Sequence, residues 1–165
     1  MENKKQSLFF SFLDKFEDYS VTALYLVMVV VIFLQVFFRF VIKASLPWSE
    51  ELARYIMAWA VFIGASIAAK EGAHIGIDSI VSRLPKKVEQ YIRTFAMALS
   101  FLFSVVLVYL AVLVIQFLMK TGQKTPAMMI PMWIAYFSVL FGSVLMSIRF
   151  CQATYLKFKD GKGLQ

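Results

Sequence analysis

Between Arg93 and Lys120 the chain carries no charged residue. Roughly 20 helical residues cross a hydrocarbon core of about 30 Å, so a run of this length has few places to go except through a bilayer. Three further stretches are nearly as apolar. The expected spans are residues 21–38, 52–69, 95–119 and 132–148, the third being the longest and cleanest. The runs are continuous and do not alternate with period two, which argues against strands. The fold class expected is an all-α integral membrane protein with four transmembrane helices plus short interfacial helices.

Composition agrees. Of the 165 residues 61% are hydrophobic and only 16% are charged, and Phe occurs 17 times. A water-soluble domain of this size has enough surface to need far more charge. Twelve of the 17 Lys and Arg residues fall on the two termini and the loop between spans two and three. Only Arg39, Lys43, Arg54, Lys120 and Lys124 fall on the opposite side. The positive-inside bias therefore predicts that both termini are cytoplasmic. The net charge of +7 reads as topology and contact with anionic membrane lipids, and no basic run interleaved with aromatics points to nucleic acid.

Residues 1–20 are expected to form a cytoplasmic interfacial segment, because Phe9, Phe12, Leu13 and Phe16 share one helical face. The apolar run Leu8–Leu13 is too short for the core of a cleavable signal peptide. Residues 21–150 then form the four-helix membrane domain and 151–165 a loose cytoplasmic tail. Asp78 is a possible cap for a short helix that stops before Pro85.

The second span holds most of the polar features. Pro47 suits a first helical turn, and Glu50 and Glu51 favour its positive end. Glu50 and Arg54 have the i,i+4 spacing of an intrahelical pair, and Trp48, Tyr55 and Trp59 suit the headgroup level. Two readings stand: Glu50, Glu51 and Arg54 dock a partner subunit or line an ion path, or they form a local salt bridge with interface anchors. Gly64, Ala68 and Gly72 recur every fourth residue, a spacing that lets another helix approach closely or that merely fills space. The expectation is that this seam is internal and that the Trp48–Arg54 entrance meets a partner.

Chemistry is scarce. Cys151 and His74 are the only residues of their kinds, which excludes an intrachain disulfide and a bis-histidine haem. His74 and Asp78 stand four apart and suit either a proton relay or, more simply, a satisfied interfacial pair. The polar residues Gln35, Ser100, Ser104 and Gln116 are too sparse for a conduction path, and no span carries an acid at mid-depth. No catalytic residue, cofactor or metal site is expected, and the chain does not read as an enzyme.

Two blocks carry a family resemblance. The first is Pro47-Trp48-Ser49-Glu50-Glu51, then Trp59 and Phe62-Ile63-Gly64-Ala65, then His74-Ile75-Gly76-Ile77-Asp78. The second is Thr125-Pro126-Ala127 with Ile130-Pro131-Met132-Trp133, Tyr136 and Gly142. In this order and separation they resemble the small (DctQ-like, Q) membrane subunit of tripartite ATP-independent periplasmic (TRAP) transporters. The resemblance implies a multi-pass protein of the bacterial inner membrane. It implies a large membrane (M) subunit as partner, holding the solute and sodium sites, and a periplasmic substrate-binding protein that delivers a carboxylate such as a sialic acid or a C4-dicarboxylate. The large subunit is expected to move as an elevator and the small one to enlarge its fixed scaffold. The alternatives are a structural subunit of another membrane complex and a small four-helix exporter. The exporter needs an acid in an early span, and residues 21–38 contain none.

Overall fold

The computed structural model describes residues 2–71 and 85–161. Four long helices account for nearly all of them. Helix α1 spans Glu2–Phe37 and runs into a π-helical turn, Phe38–Ile42. Helix α2 spans Pro47–Glu71, α3 spans Lys86–Thr121 and α4 spans Trp133–Gly161. Each contains a segment long and apolar enough to cross a membrane: Ser11–Ile42, Pro47–Lys70, Tyr91–Thr121 and Trp133–Ala153. The chain is thus a four-span, all-helical membrane protein.

The helix ends follow from local chemistry. The π-turn closes at Lys43, whose φ of 58° is left-handed, and the Ala44 N–H reaches back to the Phe38 carbonyl at 3.0 Å. Pro47 opens α2, where its missing N–H costs nothing, and the Ser49 hydroxyl donates to the Leu46 carbonyl at 2.7 Å. Pro85 precedes α3, and Gly122 ends it with φ 63°, a conformation glycine adopts without a Cβ penalty.

The N-terminal segment is continuous with the first span, and α1 is one uninterrupted helix. Neither Gly nor Pro occurs between Glu2 and Phe37, so nothing stops propagation. Two of its acids, Asp14 and Glu17, also turn towards the other helices, as described below, which ties the segment to them. At the other end, the expected loose tail is helical as far as Gly161. The short helix expected after Asp78 lies outside the described residues.

Packing is open. Helix α2 lies against α1 and α4, and α3 lies against α4, giving the spatial order α1–α2–α4–α3. Helices α1 and α3 are therefore edges with one principal neighbour each. Phe33, Phe40, Tyr109 and Phe117 on these edges are each more than half exposed. The interior between helices mixes large apolar side chains, such as Ile56, Ile63, Ile115, Leu145 and Phe150, with small residues: Ala60, Ser66, Ser104, Ser138 and Ser143 are all buried. The Ser66, Ser104 and Ser138 hydroxyls each lie 2.7 Å from a carbonyl three residues back, which satisfies them where no water reaches. A close crossing lies at Gly142. A Cβ there would stand 2.7 Å from the Phe62 carbonyl oxygen and nearer still to the Phe62 Cβ, so α2 and α4 approach backbone to backbone at this point.

Candidate functional site

Two buried polar clusters stand at opposite ends of the layer. The first sits where α2 begins. Glu51 is 1% exposed, and its carboxylate is fully engaged. Oε1 accepts from the Tyr55 hydroxyl at 2.6 Å, while Oε2 accepts the backbone N–H of Ala127 at 2.7 Å and of Met128 at 3.2 Å. The sequence favours this locally. Tyr55 is one helical turn beyond Glu51, and Pro126 holds the facing loop in a turn that presents successive N–H groups. A carboxylate in such a cradle acts as a staple between α2 and the loop joining α3 to α4.

Its neighbours behave differently. Glu50 accepts from Gln35 Nε2 of α1 at 3.0 Å. The expected Glu50–Arg54 pair does not form, and Arg54 is exposed with no ion pair to a described acid. The tertiary partner Gln35 takes the place of the intrahelical one. Trp48 is 40% exposed at the helix entrance. Trp59 is not a headgroup anchor standing alone, since its ring packs on Phe137 and Phe141 of α4 with centroids 6.1 and 5.8 Å away.

The small-residue seam also differs from expectation. A Cβ at Gly64 would meet nothing within 4 Å, and Ala68 is exposed. Within this chain the covered face of α2 runs instead through Ala60, Ile63, Ser66 and Ala69. The seam is thus not internal at Gly64 or Ala68. With Arg54, Met57 and Val61 these two positions form one open stripe along the helix. Gly72, His74 and Asp78 lie outside the described residues.

The second cluster lies at the other end of the layer and was not anticipated. Arg149 of α4 is wholly buried and grips Glu17 of α1, its Nε lying 3.2 Å from each carboxylate oxygen and Nη2 closer still. Nη2 also stands 2.6 Å from Asp14, and Nη1 donates to Gln152 at 3.0 Å. Lys70 of α2 pairs with Asp14 at 2.9 Å. The Ser66 hydroxyl is 2.9 Å from Glu17 Oε1. Two acids from α1 thereby meet one cation each from α2 and α4, and the charges balance. The i,i+3 spacing of Asp14 and Glu17 was the available signal, since it puts both acids on one face. No local pattern names Arg149 as their partner, because the contact spans 132 positions.

Among the described residues no three His, Cys, Asp or Glu side chains gather in a way that holds a metal ion. Both clusters are closed on themselves, and their chemistry is that of fastening.

Comparison with known proteins gives these fastenings a context. The chain is 26% identical over 111 residues to the C4-dicarboxylate TRAP transporter small permease protein DctQ of Rhodobacter capsulatus, covering 67% of this chain and 49% of that one. It is 26% identical over 159 residues to the sialic acid TRAP transporter permease protein SiaT of Haemophilus influenzae, covering 92% of this chain and 24% of the relative. It is 28% identical over 110 residues to the isethionate TRAP transporter permease protein DctMQ of Oleidesulfovibrio alaskensis, covering 66% of this chain and 17% of the relative. The match thus spans about half the length of the first relative and a quarter or less of the other two. Residues 28–160 match the family described as tripartite ATP-independent periplasmic transporters, DctQ component. The chain therefore belongs to the DctQ family of TRAP transporter small permease subunits, a transport component and not an enzyme.

Proposed function

We propose that this chain is the non-conducting scaffold subunit of a sodium-coupled secondary transporter in a bacterial inner membrane. The transporter imports an anionic solute, a carboxylate such as a sialic acid or a C4-dicarboxylate, delivered by a periplasmic substrate-binding protein. The observation that carries the reading is the open row α1–α2–α4–α3. Such a layer leaves much of each helix uncovered, which suits a lining for a larger membrane body.

The charge pattern supports the non-conducting half. No Asp or Glu occurs between Asp18 and Glu50, between Glu51 and Glu71, or between Glu89 and Asp160. Ion-coupled carriers place ionisable or oxygen ligands at mid-depth, and here the coupling site is assigned to a large subunit. SiaT and DctMQ support that partner, because the segment similar to this chain makes up a minor part of each permease polypeptide. The solutes named for the three relatives are all organic anions.

The open stripe of α2, with Arg54, Met57, Val61, Gly64 and Ala68, is the surface proposed to meet the large subunit, together with the Trp48 entrance. An exposed cation on an otherwise apolar helix gains from an acidic partner, and Gly64 and Ala68 allow a helix to come close. The excess of Lys and Arg on the termini and on the loop between spans two and three supports a cytoplasmic position for both termini. The test is affinity purification of the tagged chain from its native membrane in mild detergent. Co-elution of one large polytopic subunit is expected, and recovery of the chain only with copies of itself would overturn the reading.

A further inference from the structure

We infer that the ion cluster of Asp14, Glu17, Lys70 and Arg149 is a clasp that selects where α1 sits, holding it off the open stripe of α2 so that the stripe stays free for the large subunit. This rests on the scaffold reading above, which assigns that stripe to the large subunit. The task of the cluster is then to choose one packing of α1 over another.

Apolar packing does not fix the position of α1. Along residues 11–37 only Glu17 and Val31 are buried, whereas α2 buries Ile56, Ala60, Ile63 and Ala69. In lipid an apolar helix face gains nothing from hiding against another apolar face, and association depends on close packing and polar contacts. The bare Phe, Leu and Val surface of α1 therefore names no single seat on α2.

Helix α2 offers two seats. Ser66 and Lys70 stand one turn apart and meet Glu17 and Asp14 of α1, each at 2.9 Å. Gly64 and Ala68 each stand two residues before one of them, about 200° round a helix of 3.6 residues per turn, and so on the opposite face. That face is the rival seat. A Cβ at Gly64 would meet nothing within 4 Å and Ala68 is exposed, a small-residue pair that lets a helix come close. At its far end α1 is tethered near this seat, because Gln35 donates to Glu50, four residues before Arg54 on the same row. From that tether the rest of α1 could lie along the stripe. Its two acids forbid this, since away from Ser66, Lys70 and Arg149 they would lose these partners beside lipid. Arg149 of α4 reaches both acids only where α1 and α4 share one side of α2. A buried ion pair adds little net stability over apolar groups of equal volume, and its best-attested use is to fix register.

The test is a double variant, Glu17→Met with Arg149→Met, which removes the central pair without leaving a buried charge alone. Asp14 and Lys70, whose side chains are 30% and 39% exposed, remain as a surface pair of little strength. Spin labels on Lys15→Cys and Ile148→Cys, both exposed positions, report the distance from α1 to α4 in a Cys151→Ser background. The chain is measured alone in detergent, and recovery of the large subunit is measured from the membrane. With the clasp intact one narrow distance is expected. The double variant should stay monodisperse, give a broadened or displaced distance, and recover the large subunit at least about fivefold less well. Adding Ala68→Leu blocks the rival seat and should restore the narrow distance. An unaltered distance in the double variant would overturn the clasp, and so would a displaced distance that Ala68→Leu does not restore. Failure of the double variant to fold would also overturn it, since the cluster would then serve stability alone. So would full recovery of the large subunit with α1 displaced. Failure of the wild-type chain to recover the large subunit would instead strike the scaffold reading, while the distances in the isolated chain would still decide whether the cluster seats α1.

Discussion

Arg149 on α4 and Glu17 on α1 form a two-pronged ion pair although α2 lies between the two helices in the layer. The pair therefore closes one end of the layer across the helix that separates its owners. A buried guanidinium is costly to desolvate, and Glu17, Asp14 and Gln152 together supply the acceptors that make the burial tolerable.

Removing one partner should be severe. Glu17→Gln leaves Arg149 short of one compensating charge, and Arg149→Met leaves two acids facing Lys70 alone. Each is expected to destabilise the chain by about 3–5 kcal/mol. The double variant should cost clearly less than the two single effects added together. Thermal unfolding in detergent, followed as loss of the monodisperse species, measures this.

The Glu51 staple yields a local prediction. In Glu51→Ala the Ala127 and Met128 amides lose their acceptor, a cost of about 1–3 kcal/mol. Hydrogen exchange at residues 125–130 should accelerate while exchange within α3 stays slow. Unchanged protection at Ala127 and Met128 would show that the loop holds its shape without Glu51.

Gly142 and Gly64 should respond in opposite ways. Gly142→Val drives a branched side chain into the Phe62 backbone, and a loss of about 1–3 kcal/mol is expected. Gly64→Leu meets open space and should leave the stability of the isolated chain almost unaltered. Under the proposed docking of the α2 stripe, it should instead lower recovery of the large subunit. Equal effects of the two variants on the isolated chain would contradict the packing described.

These glycines show how far the sequence could be read. The four spans were legible because uncharged runs such as Phe95–Met119 leave one solvent to choose. Glu50 and Glu51 were legible as an entrance, yet their roles were not. Local spacing offered Arg54 as partner, whereas the actual partners of Glu50 and Glu51 come from α1 and from the loop after α3. Spacing also drew attention to Gly64 and Ala68, while close contact depends on which helix lies opposite. That neighbour, α4, places Gly142 against Phe62. Asp14, Glu17 and Arg149 were missed for the same reason, since a contact across three helices leaves no short-range period in the chain.

The bias of the basic residues carries a prediction about topology. Tags at the N-terminus, at Lys86 and at the C-terminus should report cytoplasm, and tags near Lys43 and Lys124 should report the outer side. A cytoplasmic signal at Lys124 together with cytoplasmic termini would contradict the count of four spans.

The central claim is that this chain frames transport without conducting. Its most direct test is sodium-driven solute uptake in liposomes holding the small chain alone, the large subunit alone, or both, each with the binding protein present. Uptake is expected only with both subunits, and none above background with the small chain alone. Robust uptake by the small chain alone would contradict the account.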